Sequence, residues 1–245
     1  MKATNPKKVA KLQLNNWVQI WLARPNENTP AHYVVGGELN EHRLRYHKKH
    51  FPDDKLTLIS NYKDFPQKHK EYLTELCQEL NITLINISDV QDILESGDWS
   101  DKMKQLSLLE IAKQEIYSPH GNLAAASDII RVLSPVAMLG IYKDFDTIKK
   151  KNVETHPVYF INGLLVKGVL GGTVEKGAAS VTFDQLHNSI IACDESRCNF
   201  LKIYRKKMLN RYINQEHLLD FMNDIFKSEG KNETSPTIQK RYFTV

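Results

Sequence analysis

Cysteine is scarce in this chain, and the three present, Cys77, Cys193 and Cys198, build neither of the usual cysteine frameworks. A disulfide scaffold needs a denser, even-numbered set. A zinc site needs paired ligands, and Cys193 and Cys198, five apart, have no histidine placed to complete one. The three read as reduced thiols of a cytosolic protein. Long hydrophobic runs are also missing, and no stretch approaches the length of a membrane span. The N-terminus is basic at Lys2, Lys7, Lys8 and Lys11 but carries no apolar core, so no secretory signal is read there. An effector exported by dedicated machinery has the same appearance, so cytoplasmic residence and delivery into a host cell both stay open. There is no internal repeat and no low-complexity segment.

What is present is ordinary for a globular protein. The 245 residues are 41% hydrophobic and 25% charged, enough for one α/β domain with a sizeable core, or a core with a helical appendage. A net charge of +4 permits an anionic ligand without requiring nucleic acid or a membrane.

The chain alternates strand and helix signals. Trp17 to Leu22 is a compact apolar run that reads as a first central strand, closed by Pro25 and Pro30. Residues 38–50 read as a polar helix, 55–60 as a second strand, 68–80 as an amphipathic helix, and 82–87 as a third strand. Residues 89–118 read as helical with a break at Ser96-Gly97-Asp98, and Pro135 predicts a kink or break in the following helix. Such alternation argues for parallel crossover units and a Rossmann-like nucleotide-binding sheet. Further on, Val158–Ile161 and Leu164–Val166 around Asn162-Gly163 read as a hairpin. Gly168, Gly171, Gly172 and Gly177 read as a flexible loop, and Asp184 to Ile191 as a short helix. Residues 199–227 read as amphipathic helix before a polar tail. Residues 1–198 are thus expected to form the core, and 199–245 a helical extension.

His47 and His50, flanking Lys48 and Lys49, read as a solvated face rather than a metal pair. Lys202 to Lys207 reads as a helix exterior, with peripheral contact to an acidic partner or anionic lipid as the second reading.

Two local patterns point to chemistry. Asn122-Leu123-Ala124-Ala125-Ala126-Ser127-Asp128-Ile129-Ile130-Arg131 reads as a helix with Asp128 and Arg131 on one face. Gly140-Ile141-Tyr142-Lys143-Asp144-Phe145-Asp146 reads as a short buried strand delivering two carboxylates. Residues two apart on a strand share a side, so Asp144 and Asp146 can converge on one hard cation, leaving open positions for a diphosphate. The combination suggests a metal–nucleotide-sugar site.

Residues 122–147 resemble the core of the glycosyltransferases typified by the large clostridial glucosylating toxins and related bacterial effectors with an Asp-x-Asp motif. The resemblance implies a GT-A fold, a mixed sheet flanked by helices with an added helical region. It implies a UDP-sugar donor, UDP-glucose or UDP-N-acetylglucosamine, with Mn²⁺ or Mg²⁺, and transfer with retention to a protein or glycan hydroxyl. By the same resemblance Asp146 binds the metal directly, and Asp144 contacts ribose or sugar hydroxyls and supports the metal. Asp128 and Arg131 would contact ribose and donor-sugar hydroxyls. Trp21 would stack on the uracil ring, or else is a core tryptophan. Asn188 would approach the donor sugar and metal, or else caps a helix.

Three departures accompany the likeness. Leu22-Ala23-Arg24-Pro25 stands where the family strand runs into glycines, and the paired glycines before the motif are reduced to Leu139-Gly140. The C-terminal tryptophan lid has no counterpart, since the last tryptophan is Trp99. A degenerate module that binds without turnover, or another metal-dependent nucleotide-phosphate enzyme, are the alternative readings. The latter lacks the further carboxylate or Gly-rich loop it usually brings.

Overall fold

The computed structural model describes residues 15–146 and 201–214, together with the backbones of 164–166, 169–176, 179–186 and 190–193. The first half is built of β1 (Asn16–Ile20), α1 (Glu38–His50), β2 (Lys55–Ser60), α2 (Gln67–Glu79) and β3 (Ile82–Asn86). After it come α3 (Ile87–Ser96), α4 (Lys102–Tyr117), α5 (Leu123–Ile130), α6 (Ser134–Ala137) and β4 (Ile141–Lys143). β5 (Leu164–Val166), β6 (Val169–Lys176), β7 (Ala179–Leu186) and β8 (Ile190–Cys193) follow, and residues 201–214 are helical, here α7.

Strand alternation sorts the apolar side chains into two cores. Val18, Ile20 and Leu22 pack with residues of α3, α4 and α5, whereas Trp17, Trp21 and Ala23 pack on the other face with residues of α1 and α2. Each fully buried aliphatic side chain contributes about 1.5–3 kcal/mol, so a central strand feeding both cores is held from both sides. The result is an α/β sandwich in strand order β3-β2-β1-β4-β8-β5, parallel from β3 to β4 and antiparallel at β8 and β5. From β1 the chain adds β2 and β3 on one side, then crosses back to place β4 on the other. The sheet therefore changes direction between β1 and β4, the position where open α/β sheets leave a crevice at their carboxyl ends.

Pro135 divides the motif helix, as its sequence predicts. α5 ends at Ile130 and α6 begins at Ser134, with the proline in its first turn, where a missing N–H costs nothing. Polar groups freed at the break are satisfied from neighbouring helices. The Ser134 amide donates to Gln105 Oε1 at 2.7 Å, and Gln105 Nε2 donates to Ser134 Oγ at 2.8 Å. Arg205 on α7 donates to the Val132 carbonyl at 2.9 Å and forms a two-pronged pair with Asp101 at 3.0 and 3.1 Å.

The structure corrects several expectations. Arg205, in the basic stretch read as a helix exterior, is 0% exposed, because Asp101, distant in sequence, supplies a counter-charge that local sequence does not reveal. His47 is buried as well, packed between Asp54 and Lys143. Gly171 and Gly172 lie within β6, which pairs antiparallel with β7, Gly172 standing opposite Phe183 in register. Residues 184–186 and 190–191 are strand rather than helix, consistent with the β-branched Ile190-Ile191 pair. Leu164–Val166 is a strand but pairs with β8, while 158–161 lie outside the described residues.

Arg205→Met leaves the Val132 carbonyl and the partly exposed Asp101 carboxylate without their donor, and a urea melt is expected to show a loss of about 1–3 kcal/mol. Burial pushes the Cys77 thiol up to about 12, so native protein at pH 8 is expected to resist alkylation at Cys77 until denaturant is added, as peptide mapping would show.

Candidate functional site

The carboxyl end of the sheet between β1 and β4 receives its residues from three local devices. The first fixes the chain after β1. Asn61, at the end of β2, mimics one more rung of sheet: its Oδ1 accepts from the Ala23 amide at 3.1 Å and its Nδ2 donates to the Ala23 carbonyl at 2.9 Å. Arg24 then donates to the carbonyls of Glu115 and Ile116, capping the carboxyl end of α4. The Leu22-Ala23-Arg24-Pro25 departure is thus a structural clamp. Just before the clamp, Trp21 is half-buried, its ring against Gly36, where a Cβ would come within 2.4 Å. Gly36 also has φ +86°, the left-handed region that favours glycine.

The second device aims α5. Asn122 caps it, accepting from the amides of Ala124 and Ala125 at 2.8 and 3.1 Å, while the Asn122 amide donates to buried Glu115 at 2.7 Å. Asp128 and Arg131 then emerge on one face, as the sequence predicts, and form an ion pair.

The third device delivers the motif carboxylates. Gly140, at φ +155°, lets the chain enter β4 against Asn16, where a Cβ would lie 2.5 Å from the Asn16 carbonyl oxygen. β4 ends at Lys143, so Asp144 and Asp146 are presented by the turn that follows rather than by strand alternation. Phe145 between them is 8% exposed and meets Trp21 edge-on, ring centres 5.5 Å apart. Its burial anchors the turn, leaving Asp144 half-buried and Asp146 exposed.

These devices converge on Arg131, which is 6% exposed. Its guanidinium pairs with Asp128, reaches Asp144 Oδ1 at 3.5 Å, and lies 4.9 Å above the Tyr142 ring. The Tyr142 hydroxyl donates to Asp144 Oδ1 and accepts from Ser127. Burial pushes the Tyr142 phenol up, Arg131 opposes, and Asp144 adds to the rise, so the hydroxyl remains a donor across the neutral range. Sequence reading missed Tyr142, although its place two residues before Asp144 puts both on one side. Tyr204 of α7 also senses the Arg131 charge, its phenol raised by burial and lowered in part by Arg131 and Arg211. Asn188 lies outside the described residues.

Among the described residues, no three His, Cys, Asp or Glu side chains are grouped to hold a metal unaided. Two accessible carboxylates nonetheless fit a hard divalent cation whose other ligands are diphosphate oxygens and water. An Asn122→Ala variant is expected to lose about 1 kcal/mol in a urea melt, the value of a helix cap.

Compared by sequence with curated proteins, the chain matches none. Among solved structures it is similar to the PaToxG glycosyltransferase, with 21% identity and a TM-score of 0.52 over 82% of this chain. The alignment spans 62% of that chain's length. This likeness supports the fold. Two transferase structures, the first a variant with two cysteines replaced by serine, align over 81% and 75% of this chain and 79% and 74% of theirs, at 15% and 14% identity with TM-scores of 0.49 and 0.41. The profile of the TcdA/TcdB catalytic glycosyltransferase domain matches residues 38–244, so Trp21 lies before the first matched residue. With most of its length inside that match, the chain belongs to the family of TcdA/TcdB catalytic glycosyltransferase domains.

Proposed function

We propose that this glycosyltransferase domain moves a hexose or N-acetylhexosamine from UDP-glucose or UDP-N-acetylglucosamine to an acceptor hydroxyl. The observation that carries the reading is the cluster of Asp128, Arg131, Tyr142 and Asp144 at the carboxyl end of β4, beside the exposed Asp146. It occupies the crevice where the sheet changes direction, the usual place for a nucleotide in such folds.

The residues divide the work by position. Asp146, being exposed, and Asp144, half-buried, would hold Mn²⁺ or Mg²⁺. When bound, the cation supplies charge stabilisation for the departing diphosphate. Tyr142 and Arg131 engage one oxygen of Asp144 and orient that carboxylate. Asp128 and Arg131 meet hydroxyls of the ribose and donor sugar. Trp21 offers an aromatic edge of the crevice to the uracil ring, and stacking of this kind contributes about 1–3 kcal/mol per base. Asn188 is retained as a donor-sugar contact. Family membership supports transfer with retention of configuration. A protein Ser or Thr is the acceptor if the protein acts as a host-directed effector, and a glycan otherwise. Residues 1–198 serve as the catalytic core and 199–245 as its helical extension, joined through Arg205.

The test is UDP release from both nucleotide sugars with and without Mn²⁺. Wild-type protein is expected to release UDP in a metal-dependent way, and Asp146→Asn to lower the rate by about 10²-fold or more. Metal-dependent binding without release would support the non-catalytic module, and no response to any nucleotide sugar would overturn the reading.

A further inference from the structure

Behind the motif strand lies a buried polar chain that the site chemistry does not use. Lys143, the last residue of β4, points away from the Tyr142–Arg131 side and is buried. Its ammonium contacts His47 Nδ1 on α1 at 2.8 Å and sits 5.3 Å from the centre of the Trp17 ring on β1. On the far side of the imidazole, His47 Nε2 lies 3.1 Å from Asp54 Oδ2, just before β2. Asp54 and His47 are themselves buried.

The protonation pattern follows from the donor inventory. An ammonium has donors and no acceptor, so His47 Nδ1 must accept and the ring proton must sit on Nε2, facing Asp54. The chain then runs from the Asp54 carboxyl through the His47 ring to the Lys143 ammonium. A buried ammonium is costly when alone, and this relay gives it a counter-charge through a fixed imidazole.

Position explains why such a device would be needed. β4 has three residues; its register with β1 consists of Trp17–Ile141 and Val18–Tyr142, and its register with β8 of Tyr142–Ile191 and Lys143–Ile190. Both ladders stop at or before Lys143, so Asp144 follows at once with no rung of its own to fix it. Tyr142 anchors the strand from the site face, and Lys143 anchors it from the opposite face. We propose that Lys143, held by the buried His47–Asp54 pair, is a positioning residue that fixes where β4 ends, and thereby where Asp144 and Asp146 present their carboxylates to a divalent cation. The inference rests on the proposed donor-site reading and adds a residue that touches neither donor nor metal.

The experiment is a Mn²⁺ titration in the presence of UDP, followed by the EPR signal of free Mn²⁺. The proteins are wild type, Lys143→Met, His47→Gln and Leu44→Ala. Loss of outer partners that orient metal ligands typically weakens metal binding 10–100-fold, so Lys143→Met is expected to raise the half-saturating Mn²⁺ concentration about tenfold. His47→Gln keeps an acceptor for Lys143 and a donor for Asp54, and is expected to stay within about threefold. Leu44→Ala empties a buried site on the same helix, three residues from His47, and removes no member of the relay; it is expected to lower stability while leaving half-saturation within about twofold. If Lys143→Met is not recovered folded, Asp54→Asn takes its place and is expected to show a several-fold rise.

Wild-type affinity in both Lys143→Met and Asp54→Asn would overturn the inference while leaving the donor site standing. An equal shift in Leu44→Ala would overturn it too, by reducing it to general destabilisation. Absence of Mn²⁺–UDP binding in wild type would remove the donor-site reading, and this inference with it.

Discussion

A guanidinium taken out of water must be paired, and the site depends on how Arg131 is paired. Water cannot solvate it, so Asp128 from its own helix, Asp144 from the neighbouring strand and the Tyr142 ring beneath it share that role. Removing one partner would leave charge exposed to a low-dielectric interior, where the penalty is several kcal/mol. The pairing therefore ties α5 to β4, and with them the two stretches of sequence that carry the site. The capped start of α5, the break at Pro135 and the close approach at Gly140 all serve to bring those stretches together.

A second consequence is that the proposed site is already ordered in the protein alone. Asp144 is already oriented by Tyr142 and Arg131, and Phe145 locks the turn against Trp21. Preorganised groups of this kind need little rearrangement when charge develops on a leaving diphosphate. Asp146, exposed at the tip of the turn, is the member left open to solvent and ligand. The same strand carries polar anchors on both of its faces, Tyr142 on one and Lys143 on the other.

What could be read from sequence was what is local. The strand and helix order from Trp17 to Ser118 follows from short-range periodicity, and β1, α1, β2, α2 and β3 form close to where the pattern puts them. Asp128 and Arg131 share a helix face by spacing alone, and Pro135 breaks its helix because the ring removes a donor wherever it stands. What escaped was what depends on partners distant in sequence. Arg205 and His47 look like surface residues among lysines, and become core residues because Asp101 and Asp54 come to them in space. Gly171 and Gly172 look like a loop until a second strand lies opposite. Asp144 and Asp146 were identified by their spacing, but their geometry comes from the buried Phe145 between them rather than from a continuing strand.

The claim that most needs direct sight is that the turn after β4 holds a metal-bound nucleotide diphosphate. Crystals grown with Mn²⁺ and UDP, measured at the manganese absorption edge, would locate the ion by its anomalous signal. The account predicts a peak bridged by Asp144 and Asp146, with the uracil toward Trp21 and the ribose toward Asp128 and Arg131. A manganese peak elsewhere on the molecule, or UDP bound away from the β1–β4 crevice, would contradict it.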